Sequence, residues 1–526
     1  MEPINQVDTR WRGPSCPLAL ALALLFTGGW CLAPARGQTI HGNVTWSDDQ
    51  YDVEGTLVIA FDGVLTIEPG VRVAMGPGAI IDVEGELRAL GTEEDPIRFD
   101  RLEANMAWGH IEADGAVGPL RLEHCIVEGG MGVDWGWLDL GMIGVRNGTL
   151  VLIGTEVAHG TDCAVLGVGS SIEIRDCSIH QFYDVGVSLR PGCSGVVASS
   201  VFYSFTDDGL NVDGSVIDIL DSEFYGANDD GIDFDGSIGS IRNNTIHDCG
   251  QNGITCAGDT DQVWIENCLI RDCLRGFEVK QSAIVTAYNC TLVNNTIGVR
   301  LYENGPGNGG GNLLLRNSIL WGNSTVISID EESYLSVLFS NVQGDSVQPG
   351  IGNINTDPQF LNPPAGNFGL KALSPCVDAA MSTQAPDTDI QGQERYDSPF
   401  VPNTGSGTEP YYDMGCDEHN PGTSGTPATP AVAGRLLLQA PYPNPFHQRT
   451  TARLDLPRPS MVAARVVGLD GRRVRTLGEG LYPRGVVTWA WDGVNDAGRP
   501  VASGGYVLVI ETEGGATLSR RLVFLR

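Results

Sequence analysis

Gly209-Leu210-Asn211-Val212-Asp213, Gly231-Ile232-Asp233-Phe234-Asp235 and Gly253-Ile254-Thr255-Cys256-Ala257 are three copies of one short pattern, a glycine followed by apolar and polar residues in alternation. The glycine-plus-apolar pair recurs at Gly186, Gly209, Gly231, Gly253, Gly276 and Gly298, at spacings of 23, 22, 22, 23 and 22. Self-similarity at a fixed period marks a repeat architecture, and period-two alternation inside each copy marks short strands. Two or three such strands with their turns fill one period, and so small a unit cannot bury its own apolar side. Stacking is therefore required. Parallel strands in successive coils lie about 4.8 Å apart, so residues one period apart become vertical neighbours.

A second column keeps the same phase: Cys125, Thr155, Cys177, Ser200, Ser222, Asn244, Cys268, Cys290 and Ser318, each followed two residues later by an apolar residue. Small, partly polar residues suit an inward stack at a turn, where they fill little volume and satisfy backbone groups. Cys125, Cys177, Cys268 and Cys290 are accordingly expected as buried thiols, since free Cys packs as a small hydrophobe. Cys249 with Cys273, Cys268 with Cys290, and above all Cys376 with Cys416 are the disulfide candidates. No CxxC pair or Cys/His cluster with zinc spacing occurs.

The 526-residue chain carries a formal net charge of -33, unevenly spread. Residues 435–526 hold 13 Arg, no Lys and 7 acids, so the acidity belongs to the repeats. Such a surface repels nucleic acid and anionic lipid, and leaves cations, neutral sugars or cation-bridged acidic glycans as partners. Arg10 and Arg12 precede an apolar run at residues 17–26 and the small-residue pattern Ala33-Pro34-Ala35. These mark residues 1–35 as an export signal, with the protein secreted or displayed on the outer cell surface. No later apolar run is long enough for a transmembrane helix.

The motifs Leu65-Thr66-Ile67-Glu68-Pro69-Gly70, Ile80-Ile81-Asp82-Val83-Glu84-Gly85 and Thr92-Glu93-Glu94-Asp95-Pro96-Ile97 resemble the opening coils of bacterial secreted right-handed β-helix proteins of the pectin-lyase-like superfamily. The resemblance extends over about residues 40–420, through Asn353-Ile354-Asn355-Thr356-Asp357-Pro358, Ser374-Pro375-Cys376-Val377-Asp378-Ala379 and Asp413-Met414-Gly415. It implies a right-handed parallel β-helix over residues 36–344 and a cap over 345–419 closing the last coil. That superfamily holds lyases, hydrolases, epimerases and adhesins alike, so the likeness names no activity. A Pro, Gly and Thr linker follows at 420–434. Beyond it, Tyr442-Pro443-Asn444-Pro445-Phe446, Asp470-Gly471-Arg472-Arg473-Val474, Trp491-Asp492-Gly493 and Gly504-Gly505-Tyr506-Val507-Leu508 punctuate short strands, as in an immunoglobulin-like β-sandwich. This tail, 435–526, is similar to FlgD-type immunoglobulin-like domains and the related type IX secretion sorting domains. That likeness implies a partner in the secretion machinery and retention at the surface; a plain spacer or ligand-binding sandwich is the alternative.

Aligning coils on the glycine gathers seven aspartates on two neighbouring coils: Asp207, Asp208, Asp213, Asp229, Asp230, Asp233 and Asp235. Close like charges repel by about 1–4 kcal/mol per pair, depending on the effective dielectric. Bound Ca²⁺ relieves this, and Asp207, Asp208, Asp229, Asp230, Asp233 and Asp235 are the candidate ligands. Raised carboxyl pKa values relieve it too and serve acid/base chemistry. Asp before Gly is also ordinary turn chemistry repeated by duplication.

As catalytic candidates, Asp208, Asp229 and Asp230 resemble the three carboxylates of polygalacturonase-type glycosidases. The Gly-His-Gly of that family is replaced here by Gln251-Asn252-Gly253, and its Arg-Ile-Lys is missing, with Arg275 and Lys280, separated by four residues, an imperfect substitute. For elimination on a uronate, Lys280, Arg275 or His247 is the candidate base; an ion pair of Lys280 with Glu278 or Asp235 is the alternative. A further column, His180, Tyr203, Tyr225, His247 and Arg271, offers Tyr203, Tyr225 and His247 for stacking on sugars, or for packing under loops. The expected function is binding, with or without cleavage, of a polysaccharide or cell-surface glycan; the other is a non-catalytic adhesin or structural protein.

Overall fold

The computed structural model describes residues 35–36, 38–133, 141–258, 262–420 and most of 437–525. Nearly all of the expected export signal and linker lie outside these residues. The strands from Thr39–Trp46 to Asn341–Val342 build a parallel β-helix from three columns. The first column is a 14-stranded sheet that includes Ser178–Phe182, Val201–Phe205, Glu223–Ala227 and Thr245–His247. The second includes Val187–Arg190, Leu210–Asp213, Ile232–Asp235, Asn252–Ala257, Arg275–Lys280 and Ile297–Tyr302; the third includes Val216–Leu220, Ile238–Arg242, Gln262–Glu266 and Ile284–Tyr288. The long strand Thr56–Ile67 pairs with both Ile80–Val83 and Glu86–Leu90, which joins the second and third columns into one 24-stranded sheet.

The registers are those that the glycine alignment requires. Leu210 pairs with Ile232, Ile232 with Ile254, and Ile254 with Phe277, while Asn211, Asp233, Thr255 and Glu278 form the neighbouring file. Inward residues of all three columns make one continuous apolar core in which Phe202 and Phe224 stack at 4.6 Å. The glycine file has a steric cause: a Cβ on Gly186, Gly209, Gly276 or Gly298 would lie 2.4 to 2.6 Å from a carbonyl oxygen of the next coil.

The small-residue column works as a hydrogen-bonded ladder. The side chains of Ser200, Ser222 and Asn244 accept the backbone N–H of Cys177, Ser200 and Ser222 at 3.0, 3.1 and 2.9 Å. Ahead of each stands a residue with positive φ, such as Asp176, Ser199, Asp221 or Asn243, whose left-handed turn Asp, Asn and Ser tolerate. All eleven described cysteines are buried thiols. The ladder thiols behave as expected, and burial pushes Cys177 up to about 12. The disulfide expectations are corrected: Cys268 and Cys290 each donate Sγ–H to backbone carbonyls at 3.3 Å. Cys249 and Cys273 likewise settle on their own coils' backbone, at the carbonyls of His247 and Arg271, and Cys376 and Cys416 of the returning segment are also unbridged.

Residues 351–354 extend the stack by one more pairing, Asn341 with Ile354. The expected cap then does more than close the end. It runs back along the outer side of the first column, where Phe360, Phe368, Leu370, Val377, Tyr412 and Met414 cover Leu269, Val293 and Ile319. Asn267, Asn289 and Asn317 pin it by donating to the carbonyls of Thr388, Asp413 and Met381 at 2.8, 2.9 and 2.8 Å.

The C-terminal part is a sandwich of antiparallel sheets, one of three strands (Leu437–Leu438, Thr450–Leu456, Gly485–Trp491) and one of four (Arg473–Tyr482, Ser460–Gly468, Gly504–Thr512, Thr517–Phe524). Its core interleaves Leu454, Trp489 and Trp491 of the first with Val466, Leu508 and Leu522 of the second. Among the described residues, no helix is long and apolar enough to cross a membrane.

Candidate functional site: an acidic face on the second column

The aspartates divide into two kinds. Asp208 and Asp230 are buried, at 6% and 5% exposure, and continue the ladder logic. Asp208 Oδ1 accepts the N–H of Asp230, and Asp230 Oδ1 accepts that of Asn252, both at 2.9 Å. Asp230 Oδ2 takes the Thr255 hydroxyl at 2.5 Å, and Asn252 passes the chain of contacts to Arg275 at 3.0 Å. Turn chemistry therefore accounts for one oxygen of Asp208 and both of Asp230.

Asp207, Asp208 and Asp229 also converge: one carboxylate oxygen from each lies within 4.8 Å of the others. Asp233 joins the group through Asn211, whose Nδ2 reaches both Asp208 and Asp233 at 3.3 and 3.5 Å. Asp235 stands one position further out and is exposed, beyond the convergent set. Three carboxylates so placed match the oxygen donors that Ca²⁺ takes.

Burial, then the neighbouring carboxylates, moves these groups upward. Asp208 is pushed to about 9, Asp229 to about 6 and Asp233 to about 7. Asp230 and Asp235 are also raised, burial being the main cause, with the Thr255 and Asn252 hydrogen bonds opposing it at Asp230.

Further along the axis the face changes sign. Glu278, 4% exposed, gathers Lys280 Nζ at 3.2 Å, Arg275 Nε at 3.2 Å, Arg300 Nη1 at 3.5 Å and the Tyr302 hydroxyl at 3.1 Å. Arg300 also lies over the Tyr302 ring at 3.9 Å. Two coils separate Asp233 from Glu278, so acid gives way to base over about 10 Å.

Burial works against the Lys280 ammonium, but Glu278, Tyr302 and Asp233 outweigh it and raise its pKa. The ion pair with Glu278 thus favours the charged ammonium, the form that does not take up a proton. His247 is corrected on both counts. It lies in the first column, away from the acidic face, paired with Glu223 at 3.0 Å and Asp248 at 2.6 Å.

The sugar-stacking expectation for Tyr203, Tyr225 and His247 is also corrected, since they are 0%, 6% and 2% exposed. The file His180, Tyr203, Tyr225, His247 stacks ring on ring at 4.5, 5.1 and 5.1 Å. Rings one coil apart use their faces on each other and leave none for a pyranose. The rings pack on one another rather than under loops. Glu278 was readable as an ion-pair partner of Lys280; its further contacts with Arg275, Arg300 and Tyr302 were not.

A family model described as a right handed beta helix region matches residues 164–342, and one described as a FlgD Ig-like domain matches residues 446–516. No curated protein matches the chain. Among solved structures, a mutant of the periplasmic alginate epimerase AlgG is 14% identical, covering 57% of this chain and 83% of that one with a TM-score of 0.49. The A-module of the Azotobacter vinelandii mannuronan C-5 epimerase AlgE4 is 14% identical over 59% and 91%, with a TM-score of 0.34. An alginate lyase from a Paenibacillus species is 14% identical over 52% and 91%, with a TM-score of 0.29. Fold and site thus define a right-handed parallel β-helix with an acidic face, followed by an immunoglobulin-like sandwich.

Proposed function

We propose that this chain is an extracellular β-helix that binds an acidic polysaccharide through Ca²⁺ held by Asp207, Asp208 and Asp229, with its sandwich domain retaining it at the cell surface. The convergence of those three carboxylates within 4.8 Å is the observation that carries the reading. A chain of net charge -33 repels a polyanion unless a cation bridges them. Ca²⁺ supplies that bridge, and Arg275 and Arg300, two and three coils on from Asp229, offer a second anchor for a sugar carboxylate.

The unliganded site has a pH signature. A carboxyl raised in the folded state contributes stability that is fully present below its unfolded value and is lost as pH rises through the folded one. For Asp208, Asp229 and Asp233 that window runs from about 4 to about 9. Melting temperature without Ca²⁺ should therefore fall across this range. Ca²⁺ at about a hundred times its Kd restores about 2.7 kcal/mol, and more toward alkaline pH, where the ligands ionise.

Calorimetry with CaCl₂ and retention on immobilised polyuronate test the reading. The wild type should bind both, the polymer only with Ca²⁺, and Asp207→Asn/Asp229→Asn should lose both while keeping its far-UV spectrum. Polymer retention unaffected by chelation rules the bridge out.

A second reading, cleavage, is favoured by Asp229 near neutrality beside the protonated Asp208, an acid and base set apart by environment. Release of reducing ends that disappears in Asp229→Asn is its expected result; no release from any polyuronate or neutral glycan leaves binding alone.

A further inference from the structure

The third column carries a feature unrelated to the acidic face. In Gln262–Glu266, Val263 and Ile265 enter the core at 1% exposure, while Trp264 stands out at 43%. Its ring lies parallel to Tyr288, at 4° and 6.4 Å between centroids. Its other side overlooks Ser240, the small residue that pairs with it one coil earlier. Ser240 is drawn down by Asp218, whose Oδ1 accepts both its N–H at 3.1 Å and its hydroxyl at 2.5 Å. Beside the indole and over this small residue lies a dent of about 360 Å³, lined by Asp218, Ile238, Ser240, Arg242, Trp264 and Glu266. Small-molecule sites begin at about 300 Å³.

We propose that this dent is a second saccharide site, taking a hexose unit of a neutral oligosaccharide against the Trp264 indole. A pyranose presents an apolar C–H face and a rim of hydroxyls, and so needs an aromatic plane edged by both donors and acceptors. Here the plane belongs to a rigid strand. Acceptors stand at Asp218 and Glu266 and a donor at Arg242, with Arg242 and Glu266 held 3.9 Å apart.

Two acids against one cation give the dent no surplus of positive charge to attract a polyanion, and no divalent cradle; a neutral sugar suits it. Val216 and Ile238 are paired and exposed at 55% and 47%, with Ile284, at 46%, beyond Gln262 in the same file, and these apolar side chains can meet further sugar units along the axis. A second protein sheet would demand an even surface, which the gap at Ser240 interrupts. The site does not depend on the Ca²⁺ reading.

Affinity electrophoresis of the full chain through soluble glucan, mannan, galactomannan and xylan tests the proposal. At least one should retard the wild type, with or without chelator. Trp264→Ala should weaken that retardation at least about tenfold, Trp264→Phe less, and Ser240→Trp, which fills the dent, should abolish it. Retardation by none of the four, or equal retardation of wild type and Trp264→Ala, overturns the proposal. A change of oligomeric state in Trp264→Ala without any glycan effect overturns it in favour of a contact between copies.

Discussion

Gly209→Ala is expected to lower the melting temperature by many degrees, although it adds one methyl group and Gly209 does not need a left-handed backbone. The new Cβ would lie 2.6 Å from the carbonyl oxygen of Gly231 and 3.2 Å from the Phe224 ring. Neither neighbour can step aside. Leu210 N–H bonds to that same Gly231 carbonyl at 3.1 Å, and Gly209 N–H to the Asp230 carbonyl at 2.9 Å, while Phe224 is fully buried and stacked on Phe202.

The coils must therefore separate at this point, breaking ladder hydrogen bonds on top of the about 1–3 kcal/mol that overpacking alone costs. In a stack where each coil touches only its neighbours, such a break also uncouples the halves on either side. Gly344→Ala is the matched control, since its nearest neighbour would be Ser346 O at 3.4 Å. Thermal unfolding followed by circular dichroism reads the difference. Equal melting of the two variants would mean that coil spacing does not select glycine.

Arg395→Met is expected to cost about 3–5 kcal/mol, the range for removing one partner of a buried ion pair. Arg395 and Glu418 have side-chain exposures of 2% and 0% and meet at 2.9 Å. The guanidinium also donates to Asn267 Oδ1 at 3.2 Å, to the Thr388 carbonyl at 2.9 Å and to the Pro386 carbonyl at 3.1 Å. It thus ties the returning segment to the β-helix as well as neutralising an acid.

Around it lie Asp389, Asp413 and Asp417, all raised chiefly by burial. Burial raises Glu418 as well, with Arg395 opposing. Without the cation Glu418 rises further. A raised carboxyl keeps its stability contribution in acid and loses it as pH climbs, so the deficit of Arg395→Met should be smallest in acid and grow toward alkaline pH. Arg395→Met/Glu418→Met should recover much of the loss, because two apolar groups replace the pair without leaving a bare charge. A deficit constant across pH, or no recovery in the double variant, contradicts this account.

The legibility of the chain varied from residue to residue. Asp233, Thr255 and Glu278 could be placed in one file from spacing alone, because covalent period and coil length are the same quantity. The roles of Cys177 and Ser200 followed from their size and phase. Trp264 was readable in principle, as a large aromatic at an outward position of an alternating strand. Its dent was not, because that depends on Asp218 drawing Ser240 down one coil away. Tyr203 and His247 misled for a related reason: alternation says that a side chain points away from the core, not that solvent meets it there.

The sequence by itself therefore determined which residues are vertical neighbours, and with that the parallel β-helix, its registers, its ladders and the gathering of aspartates on two coils. Only the tertiary structure decided what each outward file does. What covers an outward file comes from distant chain, as when residues 360–414 lie over Leu269, Val293 and Ile319, or from the file stacking on itself, as the rings from His180 to His247 do. The same holds inside the acidic cluster. Spacing placed Asp207 with Asp229 and Asp208 with Asp230, and hydrogen-bond geometry separated the latter two, committing both oxygens of Asp230 to Asn252 and Thr255 while Asp207, Asp208 and Asp229 bring one oxygen each within 4.8 Å of the others.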